Sequence, residues 1–241
     1  MNLHVIKDPE ALSTAVAEWI IELIERNLRS KKVFSWLLSG GNTPKHLYSL
    51  LATEKYRNRI AWDKIQFFFG DERVVPFDDE RNNGRMAYET LLSHVPVPRD
   101  QIHFISTDES PELSVNEYEK ILHLYFRKRT ETFDLSLLGM GEDGHVLSLF
   151  PGSRLIHENN KAVASVFVPE QSMYRVTLTA KMVNQSACTA FLVTGVSKSF
   201  VLKKVLEGSF TPEKYPSQII KPVNGELHWF VDEAAGSMLS R

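Results

Sequence analysis

Between residues 10 and 28 the chain repeats apolar positions at helical spacing. Leu12, Val16, Trp19, Ile20, Leu23 and Ile24 fall on one face and Glu18, Glu22 and Glu25 on the opposite one, the pattern of a helix lying on a core. Five shorter runs behave differently. Residues 33–38, 65–69, 133–138, 163–168 and 190–193 are apolar without the alternation of a half-exposed strand, so they predict strands buried on both faces. Residues 227–231 add a late strand, and 233–239 a short closing helix. Several runs lead through glycine into a segment of helical spacing, as at Leu47, Leu50 and Leu51.

Strand, glycine turn and helix in repetition predict an α/β fold: a three-layer, mostly parallel, Rossmann-like sheet with helices on both faces. No low-complexity linker, charge block or internal repeat divides the 241 residues. Residues 1–241 are therefore expected to form one domain, with the proline-containing stretches 95–98 and 209–222 as internal connections. In open sheets of this kind ligands bind beyond the carboxyl ends of the strands. The residues that follow each strand carry most of the functional information.

Composition narrows the partners. With 43% hydrophobic and 24% charged residues, the chain has ordinary globular make-up. A net charge of -2 supplies no long-range reason to bind nucleic acid or an anionic membrane. Any anion must be held by a few local groups. The single cysteine, Cys188, excludes an intramolecular disulfide, and no CxxC or Cys/His cluster suggests structural zinc. The start, MNLHVIKDPE, lacks an apolar run of signal-peptide length, and no segment approaches the ~20 apolar residues of a membrane span. The chain is read as cytoplasmic and monomeric, with an oligomer left open, and with no cofactor, metal, membrane or nucleic-acid partner.

Four strand ends carry candidate chemistry. The first continues as Ser39-Gly40-Gly41-Asn42-Thr43-Pro44, where Thr43 suits a helix N-cap and Pro44 the first helical position. Such a junction is either a plain strand–turn–helix connection or a phosphate cradle, because backbone N–H groups and the helix dipole favour an anion there. Neither GK[ST] nor GxGxxG occurs in it, which disfavours a nucleotide cofactor. The second strand ends in Gly70-Asp71-Glu72-Arg73, a surface ion-pair cluster or part of a site.

The third end, Gly139-Met140-Gly141-Glu142-Asp143-Gly144-His145, combines three glycines with a carboxylate two positions before a histidine. Glycine permits a close approach or a positive φ, and histidine is the side chain most suited to proton transfer near neutral pH. The Asp-x-His pair has the donors for a metal, but no third and fourth ligands stand out. A serine nucleophile is less suitable, since no GxSxG elbow occurs and Ser148 falls in a run of helical character. The fourth element brings Arg175 and Lys198, each either a solvated cation or a phosphate ligand.

Taken together, the segments SGGNTPKHLY, FFFGDERVVP, NNGRMAYETLL, FDLSLLGMGEDGHVLSLFPG, RVTLT, FLVTGVSK and LHWFVDEAA resemble the 6-phosphogluconolactonase family over nearly the whole length. That family shares its fold with glucosamine-6-phosphate deaminases and with sugar-sensing domains of bacterial regulators. The resemblance implies hydrolysis of 6-phospho-D-glucono-1,5-lactone in the oxidative pentose phosphate pathway. It implies that His145 is the general base and that Asp143 and Arg73 orient it or stabilise developing charge. Gly40, Gly41 and Thr43, with Arg175 and Lys198, match phosphate-binding groups. Asn42 belongs to the same loop, although serine or alanine is more common there. Asp71 lies where the deaminases keep a proton-abstracting carboxylate. Residues 78–84 depart from the family pattern, and no substrate contact is assigned to them. The deaminase Asn-Glu-Pro segment is replaced by Ser148-Leu149-Phe150-Pro151-Gly152, which points away from deamination.

Overall fold

The apolar runs at residues 33–38 and 65–69 become neighbouring parallel strands in the computed structural model, which describes residues 1–240. In chain order the strands are β1 (Asn2–Ile6), β2 (Phe34–Leu38), β3 (Ile65–Phe69), β4 (Asp71–Arg73), β5 (Ile102–His103), β6 (Leu135–Gly139), β7 (Val163–Val168), β8 (Met173–Leu178), β9 (Cys188–Val193) and β10 (Glu226–Asp232). The helices are α1 (Pro9–Leu28), α2 (Asn42–Leu51), α3 (Glu54–Arg57), α4 (Asn83–Ala87), α5 (Pro111–Phe126), α6 (Ala180–Val183) and α7 (Ser199–Glu207).

Seven strands form one parallel sheet in the order β1-β10-β9-β6-β2-β3-β5. From β2 the chain proceeds to β3 and β5 on one side. From β6 it proceeds to β9 and β10 on the other. The strand order therefore reverses between β2 and β6, the crevice position at which such sheets bind ligands. Every residue of β2 is buried. Leu37, Leu38, Phe67 and Phe68 are completely buried, and each contributes roughly 1.5–3 kcal/mol relative to exposure. Helix α1 starts where Asp8 accepts from the Ala11 N–H at 2.8 Å and Pro9 takes the first helical position, so the cap and the fixed φ fix the boundary. No helix among the described residues is long and apolar enough to cross a membrane.

Three expectations change. Residues 163–168 form a strand, but not in the parallel sheet. β7 pairs antiparallel with β8, and β8 with β4, in a separate three-stranded sheet. The run is apolar because Val163, Ala164 and Val168 face the core, whereas Phe167 is exposed and rests on Tyr174 across the hairpin, ring centres 5.0 Å apart. Thr43 is not the cap of α2. Gly41, with φ 101, is the N-cap, and the helix begins at Asn42; a β-branched residue resists that conformation. The closing segment is a single 3₁₀ turn, Ala235–Met238, not a helix over 233–239. β1 carries no buried stripe, with Leu3 and Val5 exposed, and so left no pattern to read.

Candidate active site

One cavity of about 160 Å³ opens beyond the carboxyl ends of β2, β3, β6 and β9. Gly40, Gly41, Asn42, Thr43, Asp71, Arg73, His145, Arg175 and Lys198 all line it. Asp143 does not line the cavity, but it holds a residue that does.

The turn after β6 is shaped around that pair. His145 Nδ1 lies 2.6 Å from Asp143 Oδ1, and the His145 backbone N–H donates to the same oxygen at 3.0 Å. With Nδ1–H given to the carboxylate, Nε2 is the ring position left to act as a base. Burial raises the Asp143 carboxyl, but its bonds from the His145 ring and backbone outweigh this and hold it below the usual range. Glycine is required at Gly141, because a Cβ there would sit 2.1 Å from His145 Nδ1 and 2.6 Å from Asp143 Oδ1. Gly144 has φ 84. From outside the turn, the buried Ser217 donates its hydroxyl to the Gly144 carbonyl at 2.8 Å. Phe150 lies 4.6 Å from the His145 ring, and the Arg175 guanidinium stands 5.7 Å from the same phenyl centre. Ser148 lies in a turn and not in a helix, and its Oγ donates to Asp71 Oδ2 at 2.7 Å.

The opposite wall is built where the chain leaves one sheet for the other. Gly70 accepts from Leu178 N–H and donates to Leu38 O, joining both sheets, and a Cβ on it would meet Leu147 at 2.6 Å. The next residues form β4, in which Arg73 is paired in register with Arg175 of β8. Two cations directly opposite each other in a ladder are destabilising unless something negative lies between them. Asp71 supplies part of this, with Oδ2 3.5 Å from Arg175. Burial lowers the Arg175 guanidinium from its ordinary value, against the pull of Asp71. The Nε atoms of both arginines are buried without partners. Lys198 is likewise lowered by burial, opposed by Glu142 and Asp232, and it forms no ion pair among the described residues. Arg73 also donates to the Arg81 carbonyl and Arg175 to Gln171 Oε1, so among the described residues the donors left unfilled at the site are the two Nε atoms and the Lys198 ammonium.

One residue of this wall comes from the region to which no substrate contact was assigned. Asn83 is buried and lines the cavity. Its amide donates to the Asp71 carbonyl at 3.0 Å, and it occupies the space that a Cβ on Gly40 would need, 1.9 Å from Asn83 Oδ1. Glu72 is turned inward, where it accepts from the N–H groups of Arg73, Asn83 and Gly84 at 2.8, 2.7 and 2.7 Å. Burial pushes this carboxyl up to about 7, against those three amides. The sequence marks only a helix start here, as Asn82-Asn83-Gly84 before a helical run, where Asn82 caps α4 through Arg85 N–H. Phe150 was likewise visible in the Ser-Leu-Phe-Pro-Gly segment, without any sign of what it touches.

A family model described as glucosamine-6-phosphate isomerases/6-phosphogluconolactonase matches residues 7–229. The chain is 34% identical to a curated 6-phosphogluconolactonase of Nostoc sp., over 99% of this chain and 98% of that one. A 6-phosphogluconolactonase of Synechocystis sp. is 39% identical over 84% of this chain and 83% of its own length. The solved structure of 6-phosphogluconolactonase from Thermotoga maritima superposes with a TM-score of 0.81 at 31% identity, covering 96% of this chain and 99% of that one.

Proposed function

The chain belongs to the glucosamine-6-phosphate isomerase/6-phosphogluconolactonase family, and we propose that it hydrolyses 6-phospho-D-glucono-1,5-lactone to 6-phosphogluconate with water activated by His145. That reaction is a step of the oxidative pentose phosphate pathway. The observation that carries the reading is the Asp143–His145 pair, 2.6 Å apart, in a cavity that also holds Arg73, Arg175 and Lys198. Residues 1–241 act as one catalytic domain in this reading.

Lactone opening is acyl transfer to water. His145 Nε2 takes a proton from water as its oxygen bonds to the lactone carbonyl carbon. Asp143 steadies the imidazolium that results. The tetrahedral oxyanion needs a donor. Within the glycine turn, the Gly141 N–H is already given to the His145 carbonyl and the Gly144 N–H to the Gly141 carbonyl, so Arg73 is the better candidate. As the intermediate collapses, the bond from carbonyl carbon to ring oxygen breaks, and His145 returns the proton to that oxygen. Phe150 supports the imidazole face.

The phosphate lies far from the reacting carbon, so its binding positions the lactone without entering the chemistry. The backbone from Gly40 to Thr43 at the start of α2, with Arg175 and Lys198, forms its site. Asn42 belongs to that loop as a polar contact. Asp71 is a positioning residue: its carboxylate accepts from Ser148 and faces Arg175, which holds the guanidinium toward the cavity.

The test is acid release from freshly prepared 6-phosphogluconolactone, measured against the unphosphorylated lactone and an enzyme-free blank. A rate equal to the blank sinks the proposal. Ammonia release from glucosamine 6-phosphate would instead assign the cavity to the family's other chemistry.

A further inference from the structure

At the opposite end of the sheet from the cavity, three donors of different chemistry meet. Cys188 is the first residue of β9, and Glu226 stands beside it in register as the first residue of β10. Residues two apart in a strand share a face, so His228 follows Glu226 on the side of Cys188. One thiol sulfur, one carboxylate oxygen and one imidazole nitrogen lie within 4.8 Å of one another. Cys188 and His228 are buried, whereas the Glu226 side chain is 56% exposed. The cluster is thus closed on the inside and reachable past Glu226.

The far side of the imidazole is also held. His4 Nε2 lies 3.2 Å from His228 Nδ1, and the His4 ring stacks on Phe230 at 4.4 Å. The contact with His4 occupies Nδ1 and leaves Nε2, 2.9 Å from Glu226 Oε2, as the ring nitrogen on the side of Cys188 and Glu226. A metal-bound histidine that gives its other ring nitrogen to an outer partner has this arrangement.

We infer that Cys188 Sγ, Glu226 Oε2 and His228 Nε2 form a zinc(II) site, with His4 as the outer partner of His228. Sulfur and nitrogen donors select against calcium and magnesium. Three protein ligands leave the fourth tetrahedral position to water. Binding breaks the S–H bond, forms the S–Zn bond and releases the proton to solvent. The site ties the start of β9 to the start of β10 and takes no part in the chemistry at His145. It was not visible in the sequence because only the β9–β10 register joins Cys188 to the Glu226-x-His228 pair.

Titration with cobalt(II) tests this directly. Cys188 is the chain's only cysteine, so a thiolate-to-cobalt charge-transfer band reports on this site and not on Asp143 and His145. The band should saturate at one equivalent, disappear on adding zinc, and be absent in Cys188→Ser. Glu226→Ala, at an exposed position, should weaken cobalt binding at least tenfold, and His4→Ala by about 10–100-fold. Lactone hydrolysis should stay unchanged in Cys188→Ser, which also verifies folding. No band in the wild type, or equal affinity in Glu226→Ala, overturns the site.

Discussion

At the amino end of β2 and β6 the Asp134 carboxylate, only 3% exposed, accepts from the Ser35 backbone N–H and the Ser35 hydroxyl, each at 2.8 Å, and pairs with Lys31. At the carboxyl end of the same two strands, Arg73 and Arg175 face each other across a ladder with both Nε atoms buried and unpartnered. They are the only members of charged groups among the buried side-chain polar atoms that lack partners in the described residues. Buried polar groups are normally satisfied, so an exception needs a reason. The amino end closes its charges within the fold and contributes stability. In the proposed reading, the carboxyl end holds cations open for an anion that arrives later.

If this contrast is right, substitutions at the two ends should fail in different ways. His145→Ala should lower kcat by about 10²–10⁴, the usual cost of losing a general base, with little change in Tm because the side chain is 30% exposed. A kcat close to that of the wild type, with spontaneous hydrolysis subtracted, removes His145 from the mechanism. Gly141→Ala adds a methyl where the imidazole lies and should cost roughly 10² in kcat through displacement of the ring; steady-state kinetics with a thermal melt separates this from unfolding. Arg175→Ala should raise KM about 10–100-fold, the loss of one charge-assisted contact, and erode the preference for the phosphorylated lactone. An unaltered preference would put the phosphate elsewhere.

The amino end should show the reverse. Asp134→Ala orphans the buried Ser35 N–H and is expected to cost roughly 1–3 kcal/mol of stability in denaturant unfolding, with kcat untouched. A drop in kcat at equal folding would break the comparison. The narrowest effect, confined to one pH window, concerns Glu72. Its folded carboxyl titrates near 7 against about 4.5 when unfolded, so the folded state binds more protons between these values. Its contribution to stability is complete below about 4.5 and is lost as pH rises toward 7. Glu72→Gln should flatten that part of the stability–pH curve; an identical slope in both proteins would show that the term arises elsewhere.

The sequence made the strand ends legible because chemistry in a parallel sheet collects there. Asp143 and His145 could be paired from spacing alone, since both lie in one turn. Arg73 and Arg175 could each be named, but their confrontation could not, because it depends on a second sheet that residues 163–168 concealed by being as apolar as a central strand. Asn83 was hidden for another reason. Its contacts to Asp71 and Gly40 are made across the fold, and no local pattern encodes them. Thr43 was misread as a cap because the positive φ of Gly41 starts the helix two residues earlier. The hydroxyl of Thr43 bonds Thr194 Oγ1 instead, at 2.8 Å.

The central claim is that the open, cationic end of the sheet hydrolyses a phosphorylated lactone through His145. The most direct measurement compares wild type and His145→Ala on fresh 6-phosphogluconolactone, each corrected for the enzyme-free rate. The account predicts rapid hydrolysis by the wild type and a loss of at least about 10²-fold in the variant, at equal Tm. Equal corrected rates in the two proteins would contradict it.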